Sequence, residues 1–181
     1  MQIKHLTLIT LFIFAFFSCK NEANIALEQE ITALDIVEKR KAYLEAIFAE
    51  DQDVRQGNTS RQERHKTDAS NMKKIAKYLD IHGHPKRAEV GEIAALTPWS
   101  VIHHQPGRRN DKIRRKYFPV LYQAYWDEDI DGGKMWRFLD RMYFTKHGER
   151  FIMKSPYKEE DAIDSLVQKL ELGKQLVKEI K

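Results

Sequence analysis

Apolar residues in this chain recur mostly at helical spacing. From about Asn24 to Arg55 the positions Leu27, Ile31, Leu34, Val37, Leu44 and Phe48 fall on one stripe with no Gly or Pro between them, which predicts a long first helix. The segment Gln56 to Lys66 is polar and reads as a loop. Asp68 or Ser70 then caps a helix carrying Met72, Ile75 and Leu79, which stops near His82–Pro85. Thr97–Pro98 has the form of N-cap and first helical residue for a short helix through His104, ended by Pro106–Gly107. A basic and aromatic helix follows from Asn110 or Asp111 to Trp126, with Pro119 inside it. After the acidic turn Asp127–Gly133 a helix runs from Lys134 to about Tyr143.

One stretch breaks the helical rule. Tyr143 to Met153 places strand-forming residues on both sides of His147–Gly148 and predicts a small β-hairpin. A last helix is expected from about Glu159 to the end. The fold class is therefore mainly α: a single domain of about six helices with one small hairpin, over residues 27–181.

The first residues differ in kind. Lys4 and His5 precede Leu6–Ser18, an apolar run too short to span a bilayer comfortably but of the length of a signal-peptide core. It ends at Cys19, the chain's only cysteine, and Phe16–Phe17–Ser18–Cys19 resembles a bacterial lipoprotein cleavage box. Residues 1–18 are accordingly expected to be a lipoprotein signal peptide. Cys19 is expected to be the lipidated N-terminus and residues 19–26 a tether, with the protein anchored to membrane in the cell envelope. A lone Cys excludes internal disulfides in the folded part.

Charge adds little. The chain carries a net charge of +4. Removing residues 1–18, which hold Lys4 and no acid, leaves +3. With export, that argues against a nucleic-acid partner. An envelope protein or a small ligand is the expected partner class. Six cations and one acid lie between Arg108 and Lys116, suited either to an anionic partner or lipid surface or to a solvated helix face.

Candidate chemistry begins where the first helix ends. At 100° per residue Asp51, Gln52 and Arg55 lie within about 60° of Phe48, so a carboxylate, an amide and a guanidinium continue the core-facing stripe. They form either a polar pocket wall or an i,i+4 ion pair at a helix end, the latter worth about 0.3 kcal/mol if exposed. Asp140 lies on a helix apolar on both sides and needs a partner, from Arg141, Arg55 or a histidine. Spacing puts His103 beside Trp99 and Ile102 on the apolar side, and His104 a further 100° round.

Several spaced pieces, Asp51–Arg55, Asp68–Asn71, His82–Gly91, Trp99–His104 and Phe138–Met142, together resemble a family of uncharacterised, mainly bacterial domains of unknown function. The resemblance covers roughly residues 45–155. It singles out His104 rather than His103 and marks Gln52, Arg55, Asn71 and Arg141 as binding positions. The chain departs from the family at Met153–Pro156, where a Tyr-Gly-Thr-Gln pattern is usual. No reaction comes with the resemblance. If Asp51, His104 and Asp140 meet, they could act as a general base with carboxylate orienters in a small hydrolase-like enzyme, or hold a divalent metal. Asp127, Asp129 and Asp131 match the first half of a calcium loop, but Phe138 stands where the bidentate Glu belongs. His82 and His84 are a weaker metal pair. No GxSxG motif, glycine-rich phosphate loop or catalytic cysteine signature is present.

Overall fold

The computed structural model describes residues 22–57, 59–105, 111–153 and 158–176. The signal-peptide and Cys19 expectations, the Pro106–Arg109 helix end and the Lys154–Pro156 departure lie outside the described residues. The chain separates into two compact units, Met1–Asp35 and Ile36–Lys181. In the first, residues 22–32 are helical (α1), including most of the expected tether.

The long first helix is broken at residues 33–36, where the Leu34 N–H reaches back only to the Ile31 carbonyl. No breaker is needed there: Thr32, Asp35, Ile36 and Val37 are all weak helix formers. The second unit opens with α2 (Val37–Gln56) and continues with α3 (Arg61–His82) and the single turn α4 (Arg87–Val90). Then come α5 (Glu92–His104), α6 (Asp111–Trp126), α7 (Gly132–His147), α8 (Glu159–Lys169) and α9 (Gly173–Leu176). No helix among the described residues is long and apolar enough to cross a membrane.

The protein is mainly helical, and no strand occurs among the described residues, so the hairpin expectation is corrected. His147–Gly148 is a helix end rather than a hairpin turn. Gly148 takes the left-handed conformation at φ +82° and donates its N–H to the Phe144 carbonyl at 2.8 Å, a common way to close a helix. Of the expected hairpin the first arm, Tyr143–His147, stays helical, with Tyr143 and His147 ring on ring at 4.2 Å and Thr145 Oγ1 donating to the Arg141 carbonyl, while residues 149–153 form neither helix nor strand.

Three other boundaries move. α3 starts at Arg61, well before Asp68, because Ser60 and Glu63 form a reciprocal capping box: Ser60 Oγ accepts the Glu63 N–H and Glu63 accepts the Ser60 N–H. α5 starts at Glu92, so Pro98 lies inside it. Thr97 Oγ1 lies within hydrogen-bond distance of the Ile93 and Leu44 carbonyls, which ties α5 to α2 beside the proline. The last helix stops at Lys169, with Glu171 in the left-handed region before α9.

α5 is the apolar centre. It packs against α2, α3, α4, α6 and α7, while α7 also carries α8. Ala94, Ala95, Val101 and Ile102 of α5 are buried with Leu44 and Ile47 of α2, Ile75 of α3, Phe118 and Leu121 of α6, and Phe138 and Leu139 of α7. Burial of such side chains contributes about 1.5–3 kcal/mol each before chain entropy is subtracted. The arrangement sets the last turn of α5, with both histidines, against the C-terminal half of α2.

Candidate functional site

The polar stripe on α2 does enter the interior. Asp51 follows Leu44 and Ile47 on the buried face and is 1% exposed. One carboxylate oxygen, Oδ2, accepts from Ser100 Oγ and Gln52 Nε2, each at 2.9 Å, and lies 2.8 Å from His104 Nδ1. The other, Oδ1, faces Arg55 Nη1 at 3.0 Å. An ionised carboxylate only accepts, so His104 presents Nδ1–H to Asp51 and turns Nε2 away. Burial alone would raise the Asp51 pKa. The His104 hydrogen bond and charge, then Arg55 and Ser100, outweigh it and hold the carboxyl below its usual range.

Arg55 extends this network to α3. Its Nη2 pairs with Asp68 at 2.7 Å, so Asp68 is a buried ion-pair partner rather than a helix cap. The Asp68 carbonyl accepts from Gln105 Nε2, and the Gln105 and His103 carbonyls accept from Arg114 Nη2 of α6. A cation thus closes the C-terminus of α5, where the helix dipole favours it.

Above the pair opens a cleft of about 510 Å³ lined by Arg55, Arg61, Arg64, His65, Asp68, His104 and Arg141. Its one lining carboxylate, Asp68, is already engaged by Arg55. The His104 side chain is 23% exposed, placing it on the wall of the cleft.

His103 does what its spacing predicts. It stacks on Trp99 at 4.6 Å between ring centroids, 11° from parallel, and the Trp99 indole N–H donates to the Lys134 carbonyl. Burial, then the charges of Arg141, His104, Arg114 and Arg137, push its pKa down to about 2, so it is neutral. Asn71 is wholly buried, and neither atom of its amide has a protein partner among the described residues. Among the described residues it therefore makes no side-chain hydrogen bond to the polar network around Gln52 and Arg55.

The expected three-residue set is only partly assembled. Asp51 and His104 meet, but both Asp140 oxygens are engaged elsewhere, Oδ2 by Arg150 at 2.5 Å and Oδ1 by the Phe151 N–H at 2.9 Å. The partner of Asp140 is thus Arg150, not Arg141, Arg55 or a histidine. Arg150 lies beyond the helix end at Gly148, and reading that end as a hairpin hid the contact. Asp140 and Arg141 belong to a second, larger cavity of about 860 Å³, whose walls include His103, Arg114, Trp136 and Arg150.

The acidic turn is not arranged as a calcium loop. Asp127 pairs with Lys86 and accepts from Gln123. Asp129 accepts the Arg87 N–H, and Asp131 caps α7 and pairs with Lys134. Each carboxylate has its own donor, which ties the turn to α4 and α7. His82 packs on Tyr78, whereas His84 is buried 4.0 Å from Asp129. Among the described residues no three His, Cys, Asp or Glu side chains are grouped to hold a metal ion.

Sequence reasoning missed Ser100, Asp68, Arg61, Arg64 and His65. Ser100 was legible in principle, since it lies one turn before His104 on the same helix face. Set against known proteins, the chain matches no family model, no curated protein and no solved structure.

Proposed function

We propose that the protein is an exported, lipid-anchored binding domain that holds a small anionic ligand in the cleft over Asp51 and His104. The observation that carries this reading is the charge of the wall. Arg61, Arg64 and Arg141 line it, while Asp68 is taken up by Arg55. A concave surface with unbalanced guanidinium groups attracts carboxylates or phosphates, which they can bind through two parallel hydrogen bonds. His104 adds a hydrogen-bonding nitrogen whose direction Asp51 sets.

The test is calorimetry of the full-length chain with citrate and succinate as probes. Arg64→Gln, an exposed change confined to this cleft, is expected to weaken binding about tenfold, the effect of roughly 1.4 kcal/mol. Equal binding by Arg64→Gln and the parent chain would refute the reading. Anchoring through Cys19 predicts that Cys19→Ala moves the protein from the membrane fraction to the soluble one.

A second reading is supported by the 2.8 Å Asp51–His104 contact: a carboxylate-oriented imidazole is also the arrangement of a general base. It omits Asp140, whose carboxylate is held by Arg150. Ester hydrolysis lost in a folded His104→Gln protein would favour the enzyme; no turnover by the parent chain would leave the binding domain.

A further inference from the structure

The larger cavity has its own chemistry. Arg114, Arg137, Arg141 and Arg150 line it, with Asp140 as its single acid. Two of these guanidiniums are fixed from behind. Arg114, 1% exposed, is held by the carbonyls at the end of α5, and its Nε has no protein partner among the described residues. Arg150 is held by Asp140 and lies 5.2 Å from the centre of the Phe144 ring. The Arg141 guanidinium makes no hydrogen bond or ion pair among the described residues. Four cations against one acid leave a strong positive excess in a concave site.

Burial first, then the charge of Arg141, pushes Arg114 down to about 10; burial, Arg150 and Arg55 lower Arg141. Such a cluster is costly when empty and is relieved by a bound anion. Trp136 and Phe144 add flat apolar surfaces beside Thr145 and Gly148, and the volume suits a small molecule. His103, whose Nδ1 is buried without a protein partner, adds a neutral hydrogen-bonding ring.

We infer that this cavity is a second binding site, specific for a phosphomonoester on an aromatic or similarly flat carrier. The phosphate sits among Arg114, Arg137 and Arg141, and the carrier lies against Trp136 and Phe144. The site does not depend on what occupies the cleft over His104, although Arg141 borders both.

The experiment titrates the full-length chain with phenyl phosphate, inorganic phosphate and phenol, read by calorimetry and thermal shift. Phenyl phosphate is expected to bind at least tenfold more tightly than inorganic phosphate, and phenol not at all. Arg137→Gln, an exposed position lining only this cavity, should weaken phenyl phosphate about tenfold with an unchanged melting temperature; Arg137→Lys should lose less. Arg64→Gln, which lines only the other cleft, should bind as the parent does. The inference is overturned by no heat at 10 mM phenyl phosphate, by equal affinity for inorganic phosphate, or by binding that responds to Arg64→Gln and not to Arg137→Gln. Failure of citrate binding alone would sink the reading of the His104 cleft and leave this one standing.

Discussion

Asp51→Asn is the sharpest perturbation of the polar centre, because it keeps the shape and removes the charge. In the parent chain Asp51 Oδ2 receives His104, Ser100 and Gln52, and Oδ1 faces Arg55. An Asn has one accepting and one donating end. If its oxygen stays toward Arg55, its NH₂ meets three former donors. Ser100 can rotate its hydroxyl, and His104 can respond by moving its proton from Nδ1 to Nε2. The Gln52 amide has to turn over or lose its bond. Arg55 loses one of two carboxylates and keeps Asp68.

Hydrogen bonds to charged groups contribute about 1.5–3 kcal/mol each. Partial rescue by the amide therefore sets the expected loss at about 2–3 kcal/mol. Asp51→Ala, which leaves Arg55 and His104 facing an empty buried position, should cost about 3–5 kcal/mol. Urea unfolding measures both. Long-range ¹H–¹⁵N NMR of the imidazole nitrogens reads which nitrogen holds the proton toward Asp51: Nδ1 in the parent, Nε2 in Asp51→Asn. A variant as stable as the parent, or a His104 ring bearing its proton on Nε2 in both proteins, would show that Asp51 does not set the imidazole.

Acid should weaken the fold through His84, which burial holds neutral down to about pH 4 against an ordinary value of 6.5. A depressed histidine makes the unfolded chain bind more protons between those values, so stability rises with pH across the window. At about 1.36 kcal/mol per unit, lowering the pH from 7.5 to 4.5 removes about 2.5 kcal/mol. His103, with its pKa also lowered, adds to the loss with the same sign. Urea unfolding of His84→Gln should give a shallower pH dependence than the parent; parallel curves would contradict the assignment. At the start of α3, Ser60→Ala removes the acceptor for the Glu63 N–H and should cost about 1 kcal/mol in urea unfolding, against a few tenths for Ser60→Gly. No difference between the two would mean that the box does not hold the helix end.

Periodicity read the interior better than it read the boundaries. Asp51 was legible as inward-facing because it continues the 3.6-residue stripe past Phe48, although an exposed i,i+4 pair with Arg55 was the alternative, and His103 was legible from its place one turn after Trp99. The Ser60-x-x-Glu63 signal stood in the sequence, but the polar composition around it masked a helix whose buried side begins only at Asp68. Pro98 was misleading for a different reason: a proline is favoured in a first helical turn, but here it sits inside α5, which begins at Glu92. The arginine surplus at the two clefts could not be read from a net charge of +4 spread along the chain. It arises because α3, α6, α7 and the segment after α7 each contribute guanidiniums to walls that meet only in three dimensions.

The central placement of α5 also governs how the protein can fold. His104 and Ser100 reach Asp51 across 53 and 49 residues of chain, and Gln105 reaches Asp68 across 37. No helical hairpin formed early by sequence neighbours contains the Asp51–His104 pair, because both α3 and α4 lie between its partners. The loop must close before the contact can form, so the pair belongs to the late, non-local part of assembly. The Asp51–His104 contact therefore doubles as a clock for docking: a refolding chain acquires its site only when α5 has seated against α2.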